Sequence, residues 1–255
     1  MGFYVIIPAR YASSRLPGKP LIELAGKSMI AHVYEKAQAS GAKAVYIATD
    51  DERIMSHAVT FTENVIMTSA EHTCGTDRIA EAMEKLSLGD NDIIVNLQGD
   101  EPLMPAANIA QVAGLLETRD DVNMSTLCTR IHSADEIHDP HVVKTIFDSK
   151  GCAMYFSRAT IPYDRDAFLA GSREPAAGHE YYRHLGIYAY RCGFLKTYVA
   201  WPKCLIEERE ALEQLRVLWH GEKICLAEAE VEPGPGVDTE SDLKTVETIL
   251  INMGK

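Results

Sequence analysis

Tyr4-Val5-Ile6-Ile7-Pro8-Ala9-Arg10 decides the architecture of this chain. The apolar run shows no alternation and closes on a proline, which suits a strand covered on both faces, as in a parallel sheet. Outward from it, Met29, Ile30, Val33, Tyr34 and Ala37 recur at helical spacing, and Gly41 ends the helix. Ala44-Val45-Tyr46-Ile47-Ala48 reads as a second strand, and Thr49-Asp50-Asp51-Glu52 as a helix N-terminus. Ile79, Ala80, Met83 and Leu86 mark a further helix, Asp92-Ile93-Ile94-Val95-Asn96-Leu97 a third strand, and Pro105 opens a helix reaching about Leu116. Strand and helix thus alternate three times, which predicts an α/β fold: a doubly wound, mostly parallel sheet with helices on both faces. In such sheets ligands sit beyond the carboxyl ends of the strands. Here those ends are residues 8–19, the neighbourhood of Asp50, and residues 98–101.

The middle of the chain is less regular. Strands are predicted over 122–130, 142–147 and 184–190, with a long Pro/Gly/Arg-containing loop over 161–178. The expectation is one domain over 1–255, with an excursion from the main sheet over about 150–205. Residues 207–219 read as one helix with Ala211, Leu212, Leu215 and Leu218 on one face. A strand over 224–229, a turn at Pro233-Gly234-Pro235-Gly236 and a helix over about 240–251 complete the chain.

The composition is that of a globular protein: 255 residues, 46% hydrophobic and 24% charged, which excludes a disordered chain, a collagen or a coiled coil. The net charge of −12 argues against general nucleic-acid binding, which needs a basic surface, but allows a local basic cluster for a small anion. None of the six cysteines lies within four residues of another, so no CxxC pair serves zinc or thiol redox chemistry. Scattered cysteines, together with no secretion signal, acylation pattern or membrane-length apolar run, lead us to expect reduced, buried thiols in the cytosol.

Four clusters could carry chemistry. The loop after the first strand holds Arg10, Arg15 and Lys19, and the first acidic residue is Glu23. It lacks GxxxxGK[ST] and GxGxxG, so it is neither a P-loop nor a dinucleotide fingerprint. It reads either as a triphosphate cradle or as a solvated basic loop. In Asn96-Leu97-Gln98-Gly99-Asp100-Glu101-Pro102, Asp100 either ligates a divalent cation shared with phosphates or belongs to a common Gly-Asp turn. In the stretch running from Gly236 through Val237, Asp238 and Thr239 to Asp242, Thr239 could cap a helix and leave Asp238 to complete a metal site; the alternative is Asp238 as the N-cap, which spacing alone favours. In Tyr155-Phe156-Ser157-Arg158 and Arg183-His184-Leu185-Gly186-Ile187-Tyr188 cationic and aromatic residues flank predicted strands, and Arg158 and His184 could grip a carboxylate or sugar hydroxyls; the alternative for His184 is a structural role. His138-Asp139-Pro140-His141 reads as surface, and no Gly-x-Ser-x-Gly elbow supplies a hydrolase nucleophile. Glu207, Glu208, Glu210 and Glu213 read as a solvated helix face, with Glu207 or Glu210 able to turn toward the site.

The ordered set Val5-Ile6-Ile7-Pro8-Ala9-Arg10, the loop over 13–20, Ala48-Thr49-Asp50, Cys74-Gly75-Thr76-Asp77-Arg78, Gln98-Gly99-Asp100-Glu101-Pro102, Phe156-Ser157-Arg158, His184-Leu185-Gly186-Ile187-Tyr188 and Gly236-Val237-Asp238-Thr239 closely resembles the 3-deoxy-manno-octulosonate (Kdo) cytidylyltransferases, the CMP-Kdo synthetases of Gram-negative bacteria. The resemblance covers essentially the whole chain. It implies a three-layer fold like that of nucleotide-diphospho-sugar transferases, a homodimer whose dimerisation and sugar-binding parts fall in the middle excursion, and transfer of CMP from CTP to Kdo for lipopolysaccharide biosynthesis. It implies Arg10, Arg15 and Lys19 on the triphosphate, Asp100 and Asp238 on Mg²⁺, and Arg15, Lys19, Asp100 and Asp238 as the catalytic set. Pro8, Ala9, Cys74, Gly75 and Thr76 would read cytosine, and Gln98, Arg158, His184 and Glu210 would bind Kdo. Cys74 departs from the small hydroxyl residue expected there, which matters only if the loop reads cytosine through its side chain. Alternative readings are a cytidylyltransferase for another acid sugar of the sialic-acid type and a non-catalytic nucleotide-binding regulator.

Overall fold

The computed structural model describes residues 2–12, 16–72 and 74–253. The first half contains β1 (Phe3–Ala9), a 3-10 turn (Lys19–Leu21), a short hairpin of β2 (Glu23–Leu24) and β3 (Lys27–Ser28), α1 (Met29–Gln38), β4 (Ala44–Thr49), α2 (Glu52–Ala58), β5 (Val65–Met67), α3 (Gly75–Lys85), β6 (Ile93–Asn96) and α4 (Ala106–Glu117). The second half contains β7 (Met124–Arg130), α5 (Ala134–His138), β8 (Lys144–Phe147), β9 (Ala153–Ser157), α6 (Arg165–Leu169), β10 (Tyr182–Arg191), α7 (Cys192–Ala200), α8 (Leu205–Glu210), α9 (Leu215–Trp219), β11 (Ile224–Glu228) and α10 (Glu240–Met253).

The main sheet runs β11-β7-β10-β6-β1-β4-β5. The β11/β7, β6/β1, β1/β4 and β4/β5 pairs are parallel, as the βαβ pattern predicts. Successive residues of β1 serve two cores: Val5, Ile7 and Ala9 pack with α1 and α4, while Ile6 packs with α3 and α7. Burial on both faces explains why the strand reads as a continuous apolar run. A third, smaller cluster joins Leu16, Leu24 and Met29 to Leu103, Val237 and Val246. It fastens the loop after β1 and the segment before α10 onto the turn after β6.

Three expectations need correction. Within the stretch 150–205 expected to leave the main sheet, β10 is instead central, antiparallel to both β6 and β7. The departure is limited to the β8/β9 hairpin and residues 158–181, which contain α6. The single helix expected over 207–219 is two helices, α8 and α9, broken at Ala211, whose φ is +51°. A buried fork explains the break: the Arg216 Nη2 donates to Glu207 Oε1 at 2.6 Å and Nε donates to Oε2 at 2.8 Å. In a continuous helix, residues nine apart would be separated by about 13–14 Å along the axis, beyond the reach of that pair. Glu207 is therefore buried rather than part of a solvated face. Lastly, Cys74 and Cys152 are partly exposed, whereas Cys128, Cys192, Cys204 and Cys225 are buried.

The pattern missed the β2/β3 hairpin, β9, α5 and α6, and also β5 and α7. The three residues of β5 are too few to show a period. The start of α7 at Cys192-Gly193 follows β10 with no intervening turn signal.

Candidate active site

The parallel strands β1, β4 and β6 end together, and the chemistry lies beyond those ends. After β6, the turn 97–101 passes under β1; a Cβ on Gly99 would sit 3.0 Å from the Pro8 carbonyl oxygen, so glycine makes this close approach without displacing β1. Asp100 follows immediately. Its backbone carbonyl accepts from the Val237 N–H at 2.9 Å, which draws the segment before α10 alongside. Thr239 is the cap of α10: its Oγ1 accepts from the Asp242 N–H at 3.3 Å, and Asp242 Oδ2 accepts from the N–H groups of Asp238 and Thr239 at 3.0 and 2.8 Å. Of the two capping alternatives the structure takes Thr239, and Asp238 is left beside Asp100.

Lys19 joins them. Its Nζ donates to Asp100 Oδ2 at 2.6 Å, to the Val237 carbonyl at 2.7 Å and to Asp238 Oδ1 at 3.4 Å. The two carboxylates thus converge on one cation, with the three ammonium protons directed at the protein. The resemblance expects Lys19 on phosphate; in this structure its ammonium is engaged by the two aspartates and the Val237 carbonyl. Arg10 is exposed on the cavity wall nearby, and Arg15 lies outside the described residues.

Two cavities meet at Asp100 and Asp238. The first, of about 330 Å³, is lined by Pro8, Arg10, Lys19, Cys74, Gly75 and Gln98, among others. Ala9 is buried in the core behind Pro8 rather than on this wall. Cys74 is the N-cap of α3, its Sγ accepting from the Asp77 N–H at 3.4 Å, so the side chain is committed to the helix end. Burial, then the nearby charge of Glu213, pushes its thiol up to about 12, and it stays protonated at neutral pH. Thr76 is buried and donates to Glu213 Oε2 at 3.0 Å. Arg78, also on the wall, is held by Asp50 Oδ2 at 2.8 Å and by Thr68 Oγ1.

The second cavity, of about 640 Å³, is lined by Asp100, Glu101, Arg183, His184, Tyr188 and Gln214, among others. It exists because β10 is antiparallel: its N-terminal half, carrying Arg183 and His184, lies beside the carboxyl ends of β6 and β7. The single Thr126 hydroxyl proton goes to a backbone carbonyl, of Ile187 at 2.8 Å or of Leu185 at 3.1 Å. Thr126 Oγ1 therefore accepts from His184 Nε2 at 2.9 Å, which leaves Nδ1 as the acceptor nitrogen. Burial among Phe156 and Tyr188 pulls His184 down to about 3, so it is a neutral ring. Glu101 is pushed up to about 8, first by burial and then by the charges of Asp100 and Asp238. A Cβ on Gly236 would lie 2.8 Å from Glu101 Oε1, so this glycine lets the two segments close.

Two expected Kdo ligands are elsewhere. Arg158 Nε donates to the Glu210 carbonyl at 2.7 Å and its Nη1 to the Pro140 carbonyl at 3.0 Å. The Glu210 carboxylate accepts from Ser157 Oγ at 2.7 Å and from the Arg158 N–H at 2.9 Å. These residues brace each other and line neither cavity. Gln98 lines the first cavity rather than the second, its Nε2 donating to Asn96 Oδ1 at 3.1 Å. Sequence reasoning passed over Arg78, Arg183, Tyr188, Glu213 and Gln214. The first three lay inside motifs already quoted; the last two are delivered by the break at Ala211, which no periodicity showed.

The family described as "Cytidylyltransferase" matches residues 4–224. The 3-deoxy-manno-octulosonate cytidylyltransferase of Idiomarina loihiensis is 52% identical over 244 residues, 96% of each chain. That of Actinobacillus pleuropneumoniae serotype 7 is 53% identical over 250 residues, 98% of this chain and 100% of the relative. Among solved structures, CMP:2-keto-3-deoxy-manno-octonic acid synthetase complexed with CTP superposes with a TM-score of 0.90 at 40% identity, covering 99% of this chain and 100% of the other. A cytidylyltransferase from Leptospira borgpetersenii, 16% identical with a TM-score of 0.64 over 99% of this chain and 87% of its own, shares the fold. Identity above one half along nearly the whole length, on a matching fold, means that the chain belongs to the 3-deoxy-manno-octulosonate cytidylyltransferase family.

Proposed function

We infer that the protein transfers CMP from CTP to the anomeric hydroxyl of Kdo, releasing pyrophosphate, which activates Kdo for lipopolysaccharide assembly. The observation that carries this reading is the junction of two cavities at Asp100 and Asp238. A nucleotide in the first cavity and a sugar acid in the second would present the α-phosphorus and the hydroxyl to each other across that junction. The hydroxyl oxygen bonds the α-phosphorus in line as the bond to pyrophosphate breaks; positioning and electrostatics dominate such transfers. No side chain is assigned as general base.

Both substrates are anions, so cations must offset their repulsion. Two carboxylates converging on one ammonium are a donor set that also fits a hard divalent ion sharing its sphere with phosphate oxygens and water. Among the described residues no three acidic, His or Cys side chains group into a complete protein cage, consistent with such sharing. In this reading Asp100 and Asp238 hold Mg²⁺, which when bound supplies Lewis-acid stabilisation of the reacting phosphate. Lys19 keeps the two aspartates together, and Arg10 and Arg15 provide charge for the triphosphate. Pro8, Gly75 and the capped start of α3 border the base, with Gln98 beside them. Arg183 is the cation suited to the sugar carboxylate, and neutral His184 offers Nδ1 to a hydroxyl. Arg158 and Glu210 brace the wall from behind.

A homodimer built through residues 158–181 and the β8/β9 hairpin, in the cytoplasm, completes the proposal. Among the described residues no helix is long and apolar enough to cross a membrane. The deciding experiment is pyrophosphate release from each of the four nucleoside triphosphates, with and without Kdo. Release from CTP only when Kdo is present is expected. CTP binding without release would make the protein a regulator, and faster release with a sialic acid would reassign the sugar.

A further inference from the structure

Cys152 and Cys225 face each other on the far side of the molecule's chemistry, and we propose that they are a modification site: a cross-strand disulfide formed by a small hydroperoxide. Cys152 closes the turn between β8 and β9, and Cys225 lies on β11. The two residues form an antiparallel bridge. The Leu226 N–H donates to the Gly151 carbonyl at 2.8 Å, one residue outside the pair on each strand. That pattern makes Cys152/Cys225 a non-hydrogen-bonded pair, in which the Cα atoms stand about 4.5 Å apart. Disulfides span Cα separations of about 4.4–6.8 Å, so the backbone already has bridging geometry.

The turn is held in that position. Asp148 Oδ1 accepts from the N–H groups of Lys150 and Cys152, each at 2.8 Å, and the Asp148 N–H donates to the Cys152 carbonyl at 2.8 Å. Gly151 has φ +70°, and a Cβ there would lie 3.1 Å from the Leu226 carbonyl oxygen. A side chain there would be strained, so glycine suits the turn that lies against β11.

Both sulfurs also share one cation. Arg119 Nη2 is 3.4 Å from Cys152 Sγ and Nη1 is 3.8 Å from Cys225 Sγ. The guanidinium is anchored by the Asp121 carboxylate at 2.9 and 3.0 Å and by the Lys150 carbonyl at 2.8 Å. One guanidinium touching two sulfurs places both side chains on the same face of the bridge. A guanidinium beside a sulfur stabilises negative charge as it develops there during reaction. Burial pushes the Cys225 thiol up while Arg119 pulls against it, and Cys152 is the more exposed of the two.

Cys152 is therefore the residue attacked first. Its sulfur attacks hydrogen peroxide as the thiolate, breaking the O–O bond to give a sulfenic acid and hydroxide, and the hydroxide takes up the proton the thiol released and leaves as water. Cys225 sulfur then bonds the sulfenic sulfur, and the departing hydroxide leaves as water with the Cys225 proton. Two thiols lose two electrons and two protons, and the peroxide is reduced to two waters. The product ties the β8/β9 hairpin to β11, and an external dithiol reverses it by exchange.

The test uses the full chain, treated with hydrogen peroxide, alkylated and digested. Two of the six thiols should resist alkylation, and the Cys152 and Cys225 peptides should appear joined. Dithiothreitol should release them. Cys225→Ser should abolish the joined peptides and leave a sulfenic acid on Cys152 that dimedone traps. Arg119→Gln should slow formation several-fold. Six alkylatable thiols after peroxide, or a link between other cysteines, in the wild-type chain overturns the proposal without reliance on any variant folding.

Discussion

Asp100 is the residue at which both cavities and both distant segments come together. Asp100→Asn keeps the shape and removes the charge. It should lower turnover about a hundred- to thousandfold, about 3–4 kcal/mol of transition-state stabilisation, while the KM for CTP changes far less. Steady-state pyrophosphate release checks this, and wild-type turnover at saturating divalent cation would remove Asp100 from the metal site. His184 makes a second statement at this scale. Burial holds its folded value near 3, below the ordinary 6.5, so the unfolded chain binds the extra proton between those values. Its contribution is therefore complete above pH 6.5 and is lost as pH falls toward 3, with a slope of up to about 1.4 kcal/mol per pH unit. Urea unfolding across that window should show a shallower loss for His184→Gln than for wild type. Equal slopes would mean that the ring is not buried neutral. The sequence placed His184 at the site but could not show its protonation, because that depends on Thr126 and Phe156 from other strands.

At the scale of elements, the break between α8 and α9 matters most. The sequence reads as one amphipathic helix because Ala211, Leu212, Leu215 and Leu218 keep helical spacing. The tertiary pair Glu207–Arg216, with both side chains more than nine-tenths buried, overrides that spacing. The break turns Glu213 toward the first cavity and Gln214 toward the second. Arg216→Met removes one partner and strands the buried carboxylate. It should destabilise the chain by about 3–5 kcal/mol and raise the KM for Kdo and CTP together. Chemical denaturation with parallel kinetics measures both; stability loss with unchanged KM values would separate the break from the site. Similarly, β10 was legible as a strand but not as the antiparallel centre of the sheet. Strand existence is a local property, whereas neighbour choice depends on which edge the 158–181 excursion leaves free.

For the whole molecule, three cores set the geometry. Two flank the sheet, and the third, from Leu16 to Val246, draws residues more than 200 positions apart onto one turn. A nucleotide bound in the first cavity contacts β1, α3 and the turn after β6, so it should stabilise the molecule as a unit. CTP at a hundred times its Kd should add about 2.7 kcal/mol and raise Tm by roughly 5–10 °C. A thermal shift assay with CTP and GTP checks this; an equal shift with GTP would argue against base recognition beside Pro8 and Gly75.

The sequence by itself determined the βαβ frame, the strand ends beyond which the candidate site lies, and the family. These follow from apolar periodicity and from motifs whose residues are near neighbours in the chain. Only the tertiary structure decided that Lys19 spends its protons on those aspartates, that Arg158 and Glu210 brace each other behind the wall, and that Glu213 and Arg183 face the cavities instead. Such assignments depend on the competition among donors and acceptors brought together by folding, and no linear spacing records who the competitors are.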